Sequence, residues 1–85
     1  MDEKKIEHLK GLSVINITKF IMSKYQLSHE DAYKKVLTSE TYKILMNTDS
    51  GLFLESDDYL TKAIDIEFSK NTDFLYSYLN DNLPL

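Results

Sequence analysis

Apolar residues recur every three to four positions along residues 3–25, which is the spacing that one face of an α-helix produces. Further apolar residues at positions 12, 14 and 15 widen this stripe. Several of them are β-branched, so a strand over residues 12–18 is the competing interpretation. Because the apolar positions do not alternate every two residues, the pattern favours one long N-terminal helix over residues 3–25. The positions expected to face inward are Ile6, Leu9, Leu12 or Ser13, Ile17, Phe20, Ile21 and Lys24.

Shorter amphipathic segments follow, each after residues that can cap a helix. Ser28, Ser39 and Ser56 can accept hydrogen bonds from the free N–H groups of a first helical turn, and residues 71–73 form a further break. These signals predict helices at about 29–38, 40–46, 57–70 and 73–81, and Pro84 cannot continue the last one. We therefore expect one all-α domain over residues 1–85, a compact bundle of four to five helices with a long N-terminal helix.

The strongest turn signal is Asn47-Thr48-Asp49-Ser50-Gly51, a run of turn-forming residues that ends in a glycine. Three bulky apolar residues follow it directly, at a place where a connection is expected. Such side chains must be covered by a core or by a partner. We expect Leu52 or Phe53 to be buried, and we expect the residue among Leu52, Phe53 and Leu54 that stays exposed to contact a partner.

Length and composition limit the number of domains and indicate where the protein is located. A chain of 85 residues forms one domain that buries about 64% of its extended surface, so its stability margin is small, which favours self-association. The apolar stripe of the first helix is wider than one small bundle can cover, so a homodimer is one expected partner. Cysteine is absent, and the longest apolar runs have three residues, far short of about 20 for a membrane span. The charged start lacks the apolar block of a signal peptide, so we expect a cytoplasmic protein without membrane partners.

Charge is distributed unevenly along the chain. Residues 1–46 contain eight lysines and six acids, whereas residues 47–85 contain two lysines and eight acids. All ten cations are lysines, and the net charge is −4. Because arginine is the preferred group for bidentate contacts to phosphates and base edges, this composition argues against nucleic-acid binding. The acidic second half leaves open an inhibitor that mimics nucleic acid.

Motifs for metal binding, catalysis and DNA recognition do not fit this sequence at the spacing that they require. With Gly51 at the sixth position of a calcium loop, Met46 would occupy the first position, which requires a carboxylate. His8 and His29 lie on different predicted helices, and the sequence has no Ser–His–Asp order, phosphate-binding glycine loop or HExxH motif. A helix-turn-helix over the second and third helices would have a short turn without glycine and a reading helix that begins with Glu40. We therefore expect no enzyme, and no catalytic, cofactor-binding or metal-binding residues.

Aromatic residues are the remaining candidates for recognition, because tyrosine is enriched at protein interfaces. The chain has six tyrosines and four phenylalanines. We expect Phe20, Tyr42, Tyr59 and Phe68 to fill the core, and Tyr25, Tyr33, Tyr76 and Tyr78 to reach the surface. The predicted partner-binding residues are Leu52, Phe53, Leu54, Tyr25, Tyr33 and Tyr76.

Three stretches in the centre of the chain carry a resemblance to known proteins. They are Leu27-Ser28-x-Glu30-Asp31-Ala32-Tyr33, Ser39-x-Thr41-x-x-x-Leu45 and Asp49-Ser50-Gly51-Leu52-Phe53-Leu54-Glu55-Ser56-x-x-Tyr59-Leu60. Over about residues 12–68 the chain resembles a loose group of short bacterial helical proteins, some of them encoded beside toxin-like genes. This resemblance implies an antitoxin-like or regulatory partner of another bacterial protein. We expect a protein-interaction module; the alternative is a small acidic inhibitor that uses the carboxylates between Glu55 and Asp81 to mimic nucleic acid.

Overall fold

The computed structural model describes residues 2–82, in which five α-helices and no strand occur. Two one-turn 3-10 segments, Thr48–Ser50 and Leu52–Leu54, connect the third helix to the fourth. The all-α fold and the long N-terminal helix are confirmed, and the predicted bounds agree within one residue at each end. Pro84 lies outside the described residues. The helices are α1 (Glu3–Tyr25), α2 (His29–Leu37), α3 (Glu40–Met46), α4 (Asp57–Ser69) and α5 (Thr72–Asn82).

Local capping sets where the helices begin. The side chains of Ser28, Ser39 and Ser56 each accept a hydrogen bond from the backbone N–H three residues further on, as the sequence predicts. Such a bond satisfies one of the free donors of the first turn, so it favours a helix start at that residue. Asn71 does the same for α5, because its Oδ1 accepts from the N–H of Phe74. The helix bounds are therefore determined by short-range chemistry.

The core forms where α1 packs against both α2 and α4. α3 contacts α2 and α4, and α5 packs on α4 through the buried side chains of Leu75 and Leu79. In α1 the buried residues include Ile17 and Ile21, which the periodicity predicts. The buried apolar residues are Ile17, Ile21, Ala32, Val36, Leu45, Leu52, Phe53, Leu60, Ala63, Ile64, Leu75 and Leu79.

The turn after α3 folds inward. Leu52 is fully buried and Phe53 is 7% exposed, whereas Leu54 is 61% exposed. The prediction that Leu52 or Phe53 is buried is confirmed. As core residues, these two are not available to a partner, which corrects their assignment as partner contacts; of the three residues, Leu54 keeps that predicted role. Gly51 allows the inward fold because its φ of 70° lies in the left-handed region.

The edges of the predicted α1 stripe differ from expectation. Of the alternatives Leu12 and Ser13, Ser13 is the buried residue. Leu12, Ile15 and Lys24 are exposed, whereas Lys10 and Thr18 are buried. The reason is that α2 and α4 cover only part of the circumference of α1, and hydrogen bonding lets polar residues occupy covered positions. Among the aromatics, Phe20, Tyr42, Tyr59 and Phe68 are partly buried around the core. Tyr33 and Tyr76 are exposed, and Tyr25 and Tyr78 reach the surface but are half-buried.

Candidate functional site

The N-terminal end of α3 is held by a carboxylate from α4. Glu67 accepts hydrogen bonds at 2.8 Å from the backbone N–H groups of Glu40 and Thr41, and at 2.7 Å from the hydroxyl of Thr41. A negative charge at this end complements the helix dipole and occupies donors that the helix leaves free. α3 has only seven residues, too few to be stable in isolation. Glu67 therefore fixes the position of α3 against α4.

The C-terminal end of α3 is held by a buried ammonium group from α1. Lys10 is 4% exposed, and its Nζ donates to the carbonyl of Met46 at 2.9 Å and to the hydroxyl of Thr48 at 2.7 Å. The same Nζ lies 5.8 Å from the centre of the Phe53 ring. A positive charge at a helix C-terminus also complements the dipole. Both ends of α3 are thus anchored by groups distant in sequence.

Neither anchor was predicted from the sequence, although the sequence carries a signal for each. Lys10 continues the helical spacing that leads from Ile6 to Ile17, and Glu67 lies one turn beyond the buried Ile64. A charged residue at an inward position of an amphipathic helix must find a partner, because burying an unpaired charge is unfavourable. The pattern could therefore have predicted that these residues are engaged. It could not have named their partners.

A cleft of about 520 Å³ opens beside the Glu67 anchor, between the end of α1, α2 and α4. Its apolar surface comes from Tyr25, Leu27 and Phe68, and its charged residues are Lys35 and Glu67. The rings of Tyr25 and Phe68 meet edge to face, with centres 6.3 Å apart. The volume lies within the range of about 300–1,000 Å³ typical of binding pockets. We call this feature the α2–α4 cleft.

Tyr25 is held in the cleft by a polar cluster. Its hydroxyl donates to Asp65 at 3.1 Å, and the ammonium of Lys24 lies 2.6 Å from the same carboxylate. Burial, and then the hydrogen bond to Asp65, raise the pKa of the Tyr25 hydroxyl. The hydrogen bond to Asp65 also raises the pKa of Lys24, against a smaller opposing effect of burial. These contacts restrain the Tyr25 ring, so one wall of the cleft is preorganised.

The predicted partner-binding residues do not form one surface. Tyr25 lines the α2–α4 cleft, and Tyr76 is linked to it indirectly, since its hydroxyl donates at 2.6 Å to Glu40, whose own N–H donates to Glu67. This bond is the largest cause of a raised pKa at Tyr76. Tyr33 lies elsewhere, stacked on His29 with ring centres 5.9 Å apart. Leu54 lines no part of the cleft.

One buried polar atom has no partner among the described residues, the hydroxyl oxygen of Tyr59. Burial, followed by the proximity of Tyr78 and Glu55, raises the pKa of Tyr59 to about 12. Its ring lies against that of Tyr78, with centres 4.8 Å apart. The ring contacts of Tyr59 therefore position it against α5, and its hydroxyl stays protonated over the physiological range.

Two other kinds of feature, a metal site and a membrane-spanning helix, are absent from residues 2–82. No group of three or more His, Cys, Asp or Glu side chains is arranged to hold a metal ion. None of the described helices combines the length and the apolarity needed to cross a membrane. When the chain was compared with protein-family models, with curated proteins and with solved structures, none of the three comparisons found a match.

Proposed function

We propose that this chain is a protein-interaction module, an antitoxin-like or regulatory partner of another bacterial protein, which it contacts through the α2–α4 cleft. The observation that carries the proposal is the cleft itself, with an apolar floor at the surface of a small helical domain. Interfaces obtain most of their affinity from a few apolar or aromatic anchors that enter such pockets. The proposed partner inserts one apolar side chain between Leu27 and Phe68.

The restrained walls of the cleft support this role. Glu67 is fixed by three hydrogen bonds to α3, and Tyr25 by its bond to Asp65. A site whose side chains are already ordered loses little conformational entropy when a partner binds. Preorganisation thus favours recognition of a defined anchor over nonspecific adhesion.

The same contacts support binding without catalysis. The two oxygens of Glu67 accept bonds from α3, and the Tyr25 hydroxyl donates to Asp65, so these polar groups are already engaged. General acid–base catalysis requires a group that can reach a proton on a substrate. We infer that the cleft has no reaction to perform, and that the protein acts in the cytoplasm without cofactors and without nucleic-acid partners.

The alternative function, an acidic inhibitor that mimics nucleic acid, draws on the net charge of −6 in residues 47–85. A mimic needs carboxylates that are free to face a cationic groove. Asp65 is paired with Lys24, Glu67 is directed at α3, and Asp57 accepts a hydrogen bond from Asn16, so three of the eight acids are engaged within the chain. This alternative therefore ranks second.

A capture experiment from a bacterial host lysate tests the proposal, with wild-type protein and two cleft variants as bait. Leu27→Asp places a charge on the apolar floor, and Lys35→Glu reverses the charge at the rim. Lys34→Glu is the matched control, because Lys34 is the neighbouring residue, lines no part of the cleft and pairs with Glu30 on the surface. Circular dichroism of each variant verifies that the fold is retained.

We expect one protein to be captured by the wild type and by Lys34→Glu, and to be lost with Leu27→Asp. Binding by an apolar anchor should persist at high salt, whereas binding through the acidic half should weaken steeply. Capture that is insensitive to Leu27→Asp and disappears at high salt would favour the nucleic-acid mimic. Capture that survives all variants at all salt concentrations would place the contact outside the cleft.

A further inference from the structure

One face of α1 is left uncovered by the rest of the chain. On it Leu12 is 44% exposed and Ile15 is 51% exposed, and Tyr33 of α2, which is 41% exposed, lies alongside. Beside Ile15 runs a groove of about 280 Å³. Its lining includes Gly11, Val14, Tyr33, Tyr42 and Met46. The exposed apolar side chains therefore adjoin a concave surface that can receive one of them.

Gly11 gives this face an unusual shape. It lies well inside a helix of 23 residues, where glycine is unfavourable relative to alanine. A Cβ atom built at Gly11 would meet nothing within 4 Å, so packing within the chain does not require a glycine there. The missing side chain leaves a notch on the surface of α1, one turn from Ile15. Small residues at such positions allow another helix to approach closely.

We propose that a second copy of this chain packs its α1 antiparallel across this face, so that Ile15 of each copy enters the notch at Gly11 of the other. The contact is isologous, because the same two residues serve as protrusion and notch on both sides. It covers the exposed side chains of Ile15 and Leu12 in both copies. The uncovered face of each copy is thus covered by the same face of the other copy.

Charge complementarity selects the antiparallel orientation. When Ile15 lies opposite Gly11 of the partner copy, Lys19 lies at the same level of the helix pair as Glu7 of that copy, since both pairs are four residues apart along α1. A parallel two-fold pairing would instead place Lys19 level with Lys19 and Glu7 level with Glu7. Lys19 forms no ion pair within residues 2–82, and the Glu7 side chain is 70% exposed and 3.8 Å from Lys10. Both charges are therefore accessible to the partner copy.

The dimensions of α1 fit a reversible dimer. The helix is about 34 Å long at 1.5 Å per residue, close to the longest extent of the molecule, 36 Å. Stable interfaces bury about 800 Å² on each partner, and the exposed apolar patch here is built on only three side chains. The dimer should accordingly be weak. The groove beside Ile15 shares no lining residue with the α2–α4 cleft, so both clefts would remain open in the dimer.

Sedimentation equilibrium from about 5 to about 500 µM tests the proposal, because weak interfaces dissociate over this range. The wild type should be in monomer–dimer equilibrium. Gly11→Gln fills the notch and Ile15→Ser removes the protrusion, and each should weaken association at least about tenfold. Phe74→Ser is the matched control, because Phe74 is an exposed apolar residue of α5, away from α1, and its replacement should leave association unchanged. Gly11→Gln should also raise the melting temperature of the monomer, which separates lost association from lost folding.

A charge exchange tests the orientation. Glu7→Lys and Lys19→Glu should each weaken the dimer by placing like charges at the same level, and the double variant should restore it. The melting temperature of each monomer controls for the lost contact between Glu7 and Lys10. A wild type that stays monomeric up to about 500 µM overturns the proposal. So does a dimer that Gly11→Gln and Ile15→Ser leave intact. A double variant as weak as the single variants overturns the antiparallel register.

Discussion

The two ends of α3 are both anchored by charged side chains from other helices, but their surroundings differ. At the N-terminal end, the Glu67 carboxylate accepts three hydrogen bonds, and Ser39 caps the same turn from within the chain. At the C-terminal end, Lys10 donates two bonds in a region closed by Phe53. Glu67 is partly exposed at the α2–α4 cleft, whereas Lys10 is buried although it lines the groove beside α1. Both ends of α3 therefore lie near a candidate binding surface, but only the anchor of the C-terminal end is covered.

The two anchors of α3 differ in how deeply they are buried, and this difference predicts how strongly variants at each end affect folding. Two groups satisfy the donors of the N-terminal end, so the loss of one leaves the other in place. At the C-terminal end the Ser50 hydroxyl donates to the Ile44 carbonyl, and the Met46 carbonyl accepts from the ammonium group of Lys10, which is 4% exposed and lies near the Phe53 ring. We expect variants at the covered end to affect folding strongly, and variants at the cleft end to affect it less.

The largest effect is expected for Phe53→Ala at the covered end. Truncation of a buried phenylalanine leaves a cavity and lowers the free energy of unfolding by about 3–5 kcal/mol. Leu54→Ala is the control, because that side chain is 61% exposed and its truncation should change stability by no more than about 0.5 kcal/mol. Urea unfolding of the two variants measures the difference. Equal unfolding midpoints would show that the turn after α3 is not part of the core.

Lys10→Met should have the next largest effect. The substitution keeps an unbranched apolar side chain but removes the donor, which leaves the Met46 carbonyl and the Thr48 hydroxyl without this partner. Loss of a hydrogen bond to a buried acceptor lowers the free energy of unfolding by about 1–3 kcal/mol. Lys4→Met, at an exposed lysine of the first turn, should stay within about 0.5 kcal/mol. A Lys10→Met protein as stable as the wild type would mean that dehydration of the ammonium offsets its hydrogen bonds.

Glu67→Gln tests the cleft end and should have a smaller effect, about 1 kcal/mol, because the amide keeps one acceptor oxygen. Ser39→Ala removes the second capping group. If the two groups support each other, the double variant should lose more stability than the two single variants together, with an interaction energy of at least about 0.5 kcal/mol. Chemical unfolding of all four proteins gives this value. Strict additivity would argue against cooperation between these two caps, which accept from different N–H groups of α3.

The smallest effect concerns pH at the cleft end. The hydrogen bond to Glu40 raises the pKa of Tyr76 in the folded protein above the ordinary value of 10.0. Below pH 10 the stabilisation is fully present, and it is lost as pH rises through the folded-state pKa, because the unfolded chain releases the proton more readily. Thermal melting at pH 9–12 should show this decline, to which Tyr59, with a pKa of about 12, also contributes.

Tyr76→Phe should flatten part of the decline at high pH. Tyr33→Phe serves as its control, because the Tyr33 hydroxyl forms no hydrogen bond within residues 2–82. If the melting temperatures of wild type and Tyr76→Phe fall in parallel over the whole pH range, the bond between Tyr76 and Glu40 does not link α5 to α3 in solution.

The sequence by itself determined the helices, because their signals act over short distances. Serine side chains at 28, 39 and 56 bond to N–H groups three residues away, and apolar spacing defines the inward face within each helix. The turn residues ending at Gly51 likewise predicted an inward fold of Leu52 or Phe53. Whatever depends on neighbours within about four residues could be read from the chain.

Tertiary structure alone decided which groups meet across long separations. Glu67 reaches residues 26 and 27 positions earlier, and Lys10 reaches residues 36 and 38 positions later. It also decided that Leu54 stays outside while Leu52 and Phe53 are buried, and that α2 and α4 leave Leu12 and Ile15 uncovered. The physical reason is that burial depends on which surfaces the helices present to one another, and that geometry is set only when all of them pack together.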